Sequence, residues 1–266
     1  GSPGPRARFN VAIRTVALDA LTGRAEYGVG GGVTWGSSPA GEYEECRAKA
    51  EVLSVRRPAF ELLETLRFDP GPHGGFDLLH GHLERLRGSA AYFGFAFDEA
   101  SVRRALERAA AAHPGAPLRV RLTLARSGAA VASAEPFRPS AEGPVRLAVH
   151  GEPVDPRDPF RYHKTTLRSP YRRAVEAHPA ADDVVLVNAQ GQAVETTIAN
   201  LAVKRDGAWW TPPLGAGCLP GVRRTMLVAD GTLAERAILV DELRRADALA
   251  VLSSARGWRP AVLCPD

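Results

Sequence analysis

Methionine, cysteine and lysine are all scarce in this chain of 266 residues. Its three cysteines, Cys46, Cys218 and Cys264, lie far apart and are odd in number, which indicates neither a disulfide framework nor a zinc ribbon. No apolar run is long enough to span a bilayer and no signal peptide is present, so a reducing cytoplasm is the default location and a membrane is not a partner. Blocks of like charge are missing as well. The net charge is only +4 and the arginines are scattered among acids, so nucleic acid is not indicated. The single methionine is Met226, and Gly1-Ser2 stands where an initiator is expected. That pattern reads as a tag remnant on a fragment excised from something longer. No internal repeat is found.

The scarcity of lysine is the most informative of these features. Of 34 basic side chains only Lys49, Lys164 and Lys204 are lysines. Arginine supplies positive charge equally well, but it stays protonated and cannot form a covalent imine. A lysine retained against this bias is a candidate for amine chemistry, and Lys164, in Tyr162-His163-Lys164-Thr165-Thr166, is the best placed. The plain alternative is an exposed surface lysine.

What is present suits one large or two modest domains with a substantial core. From Phe9 to Leu18 apolar residues alternate as in a strand, Ala20 to Gly23 is a turn, and Ala25 to Trp35 reads as a partner strand interrupted by glycines. A helix over Gly41–Leu53 follows, with acids in its first turns. The next block opens with a strand-like run, Phe60 to Phe68. Helices over Leu79–Phe93 and Asp98–Ala112 and an alternating strand over Leu118–Ala125 come after it, and Ala134–Pro144 reads as a linker or edge segment. The third block predicts strands at Val145–His150, Val184–Asn188, Ile198–Lys204, Ala208–Thr211 and Ala248–Ser253. Its helices are expected at Ser169–Ala177, Gly221–Asp230 and Val240–Ala246. Mixed elements of this kind indicate an α/β protein.

Four separated pieces carry the chemistry. They are Lys164-Thr165-Thr166-Leu167-Arg168-Ser169-Pro170-Tyr171, Val194-Glu195-Thr196-Thr197-Ile198-Ala199-Asn200, Trp210-Thr211-Pro212, and Gly217-Cys218-Leu219-Pro220-Gly221-Val222-Arg223-Arg224. In this order they resemble the fold type IV pyridoxal-phosphate enzymes: D-amino acid and branched-chain aminotransferases, and aminodeoxychorismate lyase. The resemblance extends from about Phe60 to the C-terminus. It implies a small α/β domain over residues 55–144 and a larger mixed-sheet domain over 145–266, both serving pyridoxal 5'-phosphate.

The resemblance also assigns roles. Lys164 is the catalytic residue, holding the cofactor aldehyde and then acting as acid and base. Glu195 pairs with the pyridine nitrogen; its ordinary alternative is a solvated turn acid. The backbone of Val222 and Arg223, at a helix start, matches the family's phosphate site, and Ser254 matches its hydroxyl contact to phosphate. Arg85, in His82-Leu83-Glu84-Arg85-Leu86, matches the arginine of a family H-x-x-R-L motif that reaches the same phosphate. Tyr171 either touches the cofactor or packs in the core. The family loop with a second arginine and a tyrosine appears here as Arg126-Ser127-Gly128-Ala129-Ala130, so a substrate-carboxylate contact is missing or moved. Fold type IV enzymes also carry about two more strands before Phe60, so either the small domain is trimmed or the N-terminal hairpin fills in.

Residues 1–54 decide among branches of the family. Ala12-Ile13-Arg14-Thr15, Tyr27-Gly28-Val29-Gly30-Gly31-Gly32-Val33 and Glu42-Tyr43-Glu44-Glu45-Cys46-Arg47-Ala48-Lys49-Ala50 look like the C-terminal end of chorismate-utilising enzymes, specifically aminodeoxychorismate synthase component I. There Arg14 contacts chorismate carboxylates, Lys49 helps hold the substrate, and Glu45 ligates Mg²⁺ in an intact synthase domain only. No metal is expected here, and this remnant is expected to be inert. A synthase fused to a fold type IV enzyme implies consecutive steps, which selects a lyase taking 4-amino-4-deoxychorismate to 4-aminobenzoate and pyruvate. The alternatives are an aminotransferase for D- or branched-chain amino acids and a cofactor-less scaffold beside the synthase. The family commonly forms homodimers.

Overall fold

The computed structural model describes residues 15–54, 58–71, 74–139 and 142–265. The chain divides into two compact units, residues 1–59 and 60–266. The first holds an antiparallel hairpin of β1 (Thr15–Leu18) and β2 (Ala25–Gly28), followed by helix α1 (Pro39–Ser54). The Asp19 carboxylate shapes the hairpin turn by accepting the N–H groups of Leu21 at 2.9 Å and Thr22 at 3.2 Å. The expected strand over Phe9–Leu18 is described only from Thr15, and Arg14 lies outside the described residues. β2 stops at Gly28 rather than Trp35, because Gly30–Gly32 offer no side chains to pack on a pleated surface. Lys49 donates to the Gly30 carbonyl at 2.8 Å and pairs with Glu45 at 2.6 Å.

The second unit begins with β3 (Leu62–Asp69), the short β4 (Gly75–Phe76), helices α2 (Leu79–Phe93) and α3 (Glu99–Ala111), then β5 (Leu118–Leu124) and β6 (Ala130–Pro136). The four strands pair antiparallel in the order β4-β3-β5-β6. On β5 the leucines and Val120 alternate with Arg119, Arg121 and Thr123. The apolar face meets Leu83, Leu86, Val102 and Leu106 of the two helices in one core. Asp98 caps α3 by accepting from Ala100 and Ser101. β6 covers the start of the segment read as a linker or edge, and it is an edge strand. Among the described residues this sheet is built from residues 62–136, and β1 and β2 pair with each other.

The remaining strands are β7 (Val145–Val149), β8 (Asp183–Val187), β9 (Ala193–Thr196), β10 (Asn200–Arg205), β11 (Ala208–Thr211), β12 (Ala234–Glu235), β13 (Ala248–Ser253) and β14 (Gly257–Leu263). They form one mixed sheet in the order β12-β11-β10-β13-β14-β7-β8-β9. Helices α4 (Ser169–Ala177), α5 (Val222–Ala229) and α6 (Val240–Arg244) complete the fold. No helix among the described residues is long and apolar enough to cross a membrane.

Three departures from the sequence reading have physical causes. β3 starts two residues late, because Phe60 joins an aromatic cluster with Phe93, Phe95 and Phe160. β10 starts at Asn200 rather than Ile198. Thr196 and Ala199 close a tight turn by mutual hydrogen bonds, which leaves Ile198 at an exposed tip. β9 and β14 were not expected as strands. β9 holds only two apolar residues before Glu195, and Arg259 and Pro260 interrupt the run of β14.

Candidate active site

A cavity of about 400 Å³ opens between the two sheets of the second unit. Lys164, Arg85, Tyr171, Glu195, Val222, Arg223 and Ser254 all line it. Seven residues separated by up to 169 positions in sequence are thus gathered at one concave site.

Lys164 sits on the loop leading into α4, and that loop is stitched to β3. The Leu63 N–H donates to the Lys164 carbonyl at 2.9 Å. The Thr166 N–H donates to the Glu61 carbonyl at 3.0 Å, and the Thr166 hydroxyl accepts the Glu61 N–H at 3.0 Å. These bonds occupy the part of β3 that the short β4 leaves unpaired, and they fix the backbone from which the lysine projects. Burial, then the positive charges of Arg85 and Arg168, push the Lys164 amine down to about 8, against the opposing pull of Glu64 and Glu195. This is the environment of a reactive amine rather than of a solvated surface lysine.

Glu195 is 4% exposed and stands in β9, not in a solvated turn. Three donors hold it: Arg161 Nη2 at 2.8 Å, the Tyr171 hydroxyl at 3.1 Å and the Leu219 N–H at 3.0 Å. Burial raises its pKa, while Arg161 and the hydrogen bonds oppose that rise. Tyr171 lines the cavity and packs in the core. Its ring packs beside Val184 and Leu186 and under the Arg168 guanidinium at 3.9 Å, and its hydroxyl reaches Glu195.

Hydrogen-bond donors and positive charge gather around the start of α5 on the cavity wall. Gly221 caps α5, so the N–H groups of Val222 and Arg223 open the helix without intrahelical acceptors. Only glycine fits before them, because a Cβ at 221 would lie 1.8 Å from Asn200 Oδ1. Asn200 itself ties the turn by donating to the Leu219 carbonyl at 2.9 Å. Arg85 is held as a fork on Glu64, with Nε to Oε1 at 2.8 Å and Nη2 to Oε2 at 2.5 Å, and its Nη1 donates to the Pro220 carbonyl at 3.1 Å. His82 Nδ1 meets the same Glu64 carboxylate at 2.7 Å. Burial would raise the Glu64 carboxyl, but the Arg85 charge and the bonds from His82 and Arg85 hold it down to about 2. Arg223 contributes its backbone, since its guanidinium turns to Asp77 at 2.5 Å. Ser254 also lines the cavity, largely buried.

Sequence reasoning missed Arg161, Glu64, Arg168 and Asn200. Arg168 and Asn200 fell inside the quoted motifs, and His82 inside the helix motif, without roles of their own. Glu64 and Arg161 had no signal: an acid on a strand and one more arginine are ordinary until their burial is known. Arg126 lies elsewhere, donating to the Phe93 carbonyl at 3.0 Å and stacking on Phe95.

Comparison with known proteins gives the chain's relatives. The family model for class IV amino-transferases matches residues 61–264, and that for chorismate-binding enzymes matches residues 2–54. A curated relative from Schizosaccharomyces pombe, provisionally named an aminodeoxychorismate lyase, is 32% identical over 184 residues, covering 65% of this chain and 75% of its own. A crystal structure from Mesorhizobium loti, provisionally named an amino-acid aminotransferase, is 39% identical with a TM-score of 0.73 and covers 77% of this chain and all of its own. A structure from Legionella pneumophila, provisionally named a 4-amino-4-deoxychorismate lyase, shares the fold at 21% identity and a TM-score of 0.64, covering 80% of this chain and 84% of its own.

Proposed function

Because the chain belongs to the class IV amino-transferase family, we propose that it is a pyridoxal-phosphate enzyme that cleaves 4-amino-4-deoxychorismate to 4-aminobenzoate and pyruvate. The observation that carries the amine chemistry is Lys164, pushed down to about 8 in a cavity it shares with the buried Glu195. The choice of a lyase rests on the chorismate-binding match in the same chain.

The residues present fit the cofactor. His82 Nε2 and the Nε atoms of Arg223 and Arg224 are buried without a partner among the described residues, and all three residues line the cavity. Lys164 would hold the aldehyde carbon. Arg85, the N–H groups of Val222 and Arg223, and the Ser254 hydroxyl would hold the phosphate, and Glu195 would hold the ring nitrogen protonated. When bound, pyridoxal phosphate supplies an electron sink for the pair released as a proton leaves carbon.

The protein's own part is proton handling. Lys164, once displaced by the substrate amine, is a base poised near physiological pH, and it takes the proton from substrate C4. The C3–O bond then breaks, the ring becomes aromatic, and the enolpyruvyl methylene receives a proton from Lys164 to give pyruvate. Arg161 and Tyr171 keep Glu195 in place throughout. Paired with Arg161, Glu195 is the buried anion that would accept the N–H of the protonated ring.

A second reading, transamination of an amino acid, is favoured by the name of the Mesorhizobium loti structure. The two differ in where the proton returns. A coupled assay separates them: pyruvate released from 4-amino-4-deoxychorismate supports the lyase, while turnover of D-alanine or a branched-chain amino acid with 2-oxoglutarate and no such release overturns it.

The reading includes a homodimer, a cytoplasmic location in keeping with three free cysteines, and a parent chain whose synthase domain would end in residues 1–54. In it, residues 55–144 and 145–266 are the two domains of the enzyme. Gel filtration with light scattering tests the dimer.

A further inference from the structure

His82 lies on the cavity wall with only 2% of its surface exposed. Its Nδ1 is engaged by the Glu64 carboxylate at 2.7 Å, which also takes both arms of the Arg85 fork. Glu64 is held as an anion and can only accept, so Nδ1 carries a proton. Nε2 has no partner among the described residues. Arg223 and Arg224 also leave a buried Nε unpaired, but each places another nitrogen on an acid, Asp77 and Glu235. For His82 one of only two ring nitrogens is idle, and burying a polar atom in that condition is unfavourable.

The surroundings of the ring say what could occupy it. His82 and Arg85 stand three residues apart on one face of α2. Arg85 reaches the Pro220 carbonyl just before α5, and a Cβ at Gly81 would lie 2.6 Å from Val222 Cγ1. The first turns of α2 and α5 therefore meet without space between them. What this crossing gathers is mostly donors: the Arg85 fork and the opening N–H groups of α5. An acceptor for an Nε2–H has to come from an occupant of the cavity. An anion drawn to these donors supplies one, and its charge favours the imidazolium form of the ring.

We propose that His82, as an imidazolium, donates its Nε2–H to the cofactor phosphate while Glu64 accepts from Nδ1. His82 thereby joins Arg85 and the α5 N–H groups as a ligand, and Glu64 orients two cations rather than one. The assignment rests on the reading of the cavity as a pyridoxal-phosphate site.

Two substitutions separate the ring nitrogens. His82→Asn can still donate to Glu64 from the position of Nδ1 but has nothing at Nε2, whereas His82→Gln places its amide N–H near Nε2. Fluorescence titration of the cofactor-free chain with pyridoxal phosphate should show binding weakened at least about tenfold by His82→Asn, the worth of a charged hydrogen bond, and largely recovered by His82→Gln. Pyridoxal, which lacks the phosphate, should bind all three proteins alike. Wild-type affinity in His82→Asn, no recovery in His82→Gln, or an equal loss toward pyridoxal each overturns the proposal. Nitrogen-15 NMR of the wild type labelled at histidine needs no variant. At about pH 8, where ordinary histidines are neutral, one ring should carry protons on both nitrogens in the pyridoxal phosphate complex and not in the pyridoxal complex, and the lack of such a ring overturns the proposal. If the wild type does not bind pyridoxal phosphate, the cofactor reading falls, and the same proteins are titrated with inorganic phosphate. A tenfold loss in His82→Asn with recovery in His82→Gln then sustains His82 as a phosphate ligand, and any other result overturns it.

Discussion

Arg161 and Glu195 meet at 2.8 Å with each residue only 4% exposed, a buried ion pair 34 residues apart in sequence. Arg161 also donates to the Gly217 carbonyl at 3.0 Å, so it joins β9 to the turn that precedes α5. The pair therefore fixes Glu195 against the turn that leads into α5.

Breaking this pair on one side is expected to be expensive. Arg161→Ala strands a buried carboxylate and should lower the unfolding free energy by about 3–5 kcal/mol, measured by urea denaturation. Glu195→Gln keeps one acceptor oxygen for Arg161 and Tyr171 and loses the one that takes the Leu219 N–H, so it should cost less stability. It should still slow turnover by about 100-fold or more by depriving the cofactor ring of its acid. Equal stability losses in the two variants would contradict the assignment.

Lys164→Ala should abolish the yellow absorbance, leave no peptide to which borohydride can fix the cofactor, and reduce kcat by at least about 10²–10⁴-fold. Mass spectrometry of the reduced protein reads this directly. A retained chromophore would remove Lys164 from the centre of the site.

The pH dependence follows from the same amine. With its pKa near 8, Lys164 acts as a base above that value, so the rate at saturating substrate should climb about tenfold per pH unit below 8 and level off above it. Arg168→Gln removes a positive neighbour, favours the charged amine, and should move the limb to higher pH. Stability of the cofactor-free protein carries the matching sign. The folded pKa lies below the unfolded value of 10.5, so the unfolded chain binds more protons between about 8 and 10.5, and stability rises with pH across that window.

Glu64 positions the cradle without being part of it. Glu64→Gln leaves Arg85 without its paired carboxylate, and cofactor affinity is expected to fall roughly 10- to 100-fold, the worth of a charged hydrogen bond. Fluorescence titration with pyridoxal phosphate measures it. Glu64 also adds an acid-labile component to stability, present above its unfolded value of 4.5 and lost as pH falls toward 2.

Gly221→Ala should also loosen the cofactor, because the new Cβ would meet Asn200 Oδ1 at 1.8 Å and displace the start of α5. Asn200→Ala in the same chain clears that space, so the double variant should bind the cofactor better than Gly221→Ala alone. Equal affinities of the two would show that the collision is not the cause.

Local chemistry was legible where it was strongly periodic or capped. The limits of α2, α4, β11 and β13 match the sequence reading, and Asp98 marks the start of α3. The retention of Lys164 in an arginine-rich chain, and the glycine before Val222, pointed to the cavity from sequence alone. Only the tertiary structure decided which charges are buried and which of them face one another. Glu64, Arg161 and Arg121 look alike in sequence to a dozen exposed acids and arginines. Contacts across 21 and 34 residues make the first two parts of buried ion pairs. The pleat of β5 leaves Arg121 on the cavity wall without an acid opposite it. Desolvation and pairing depend on distance in space, and no sequence spacing encodes that until the strands are in register.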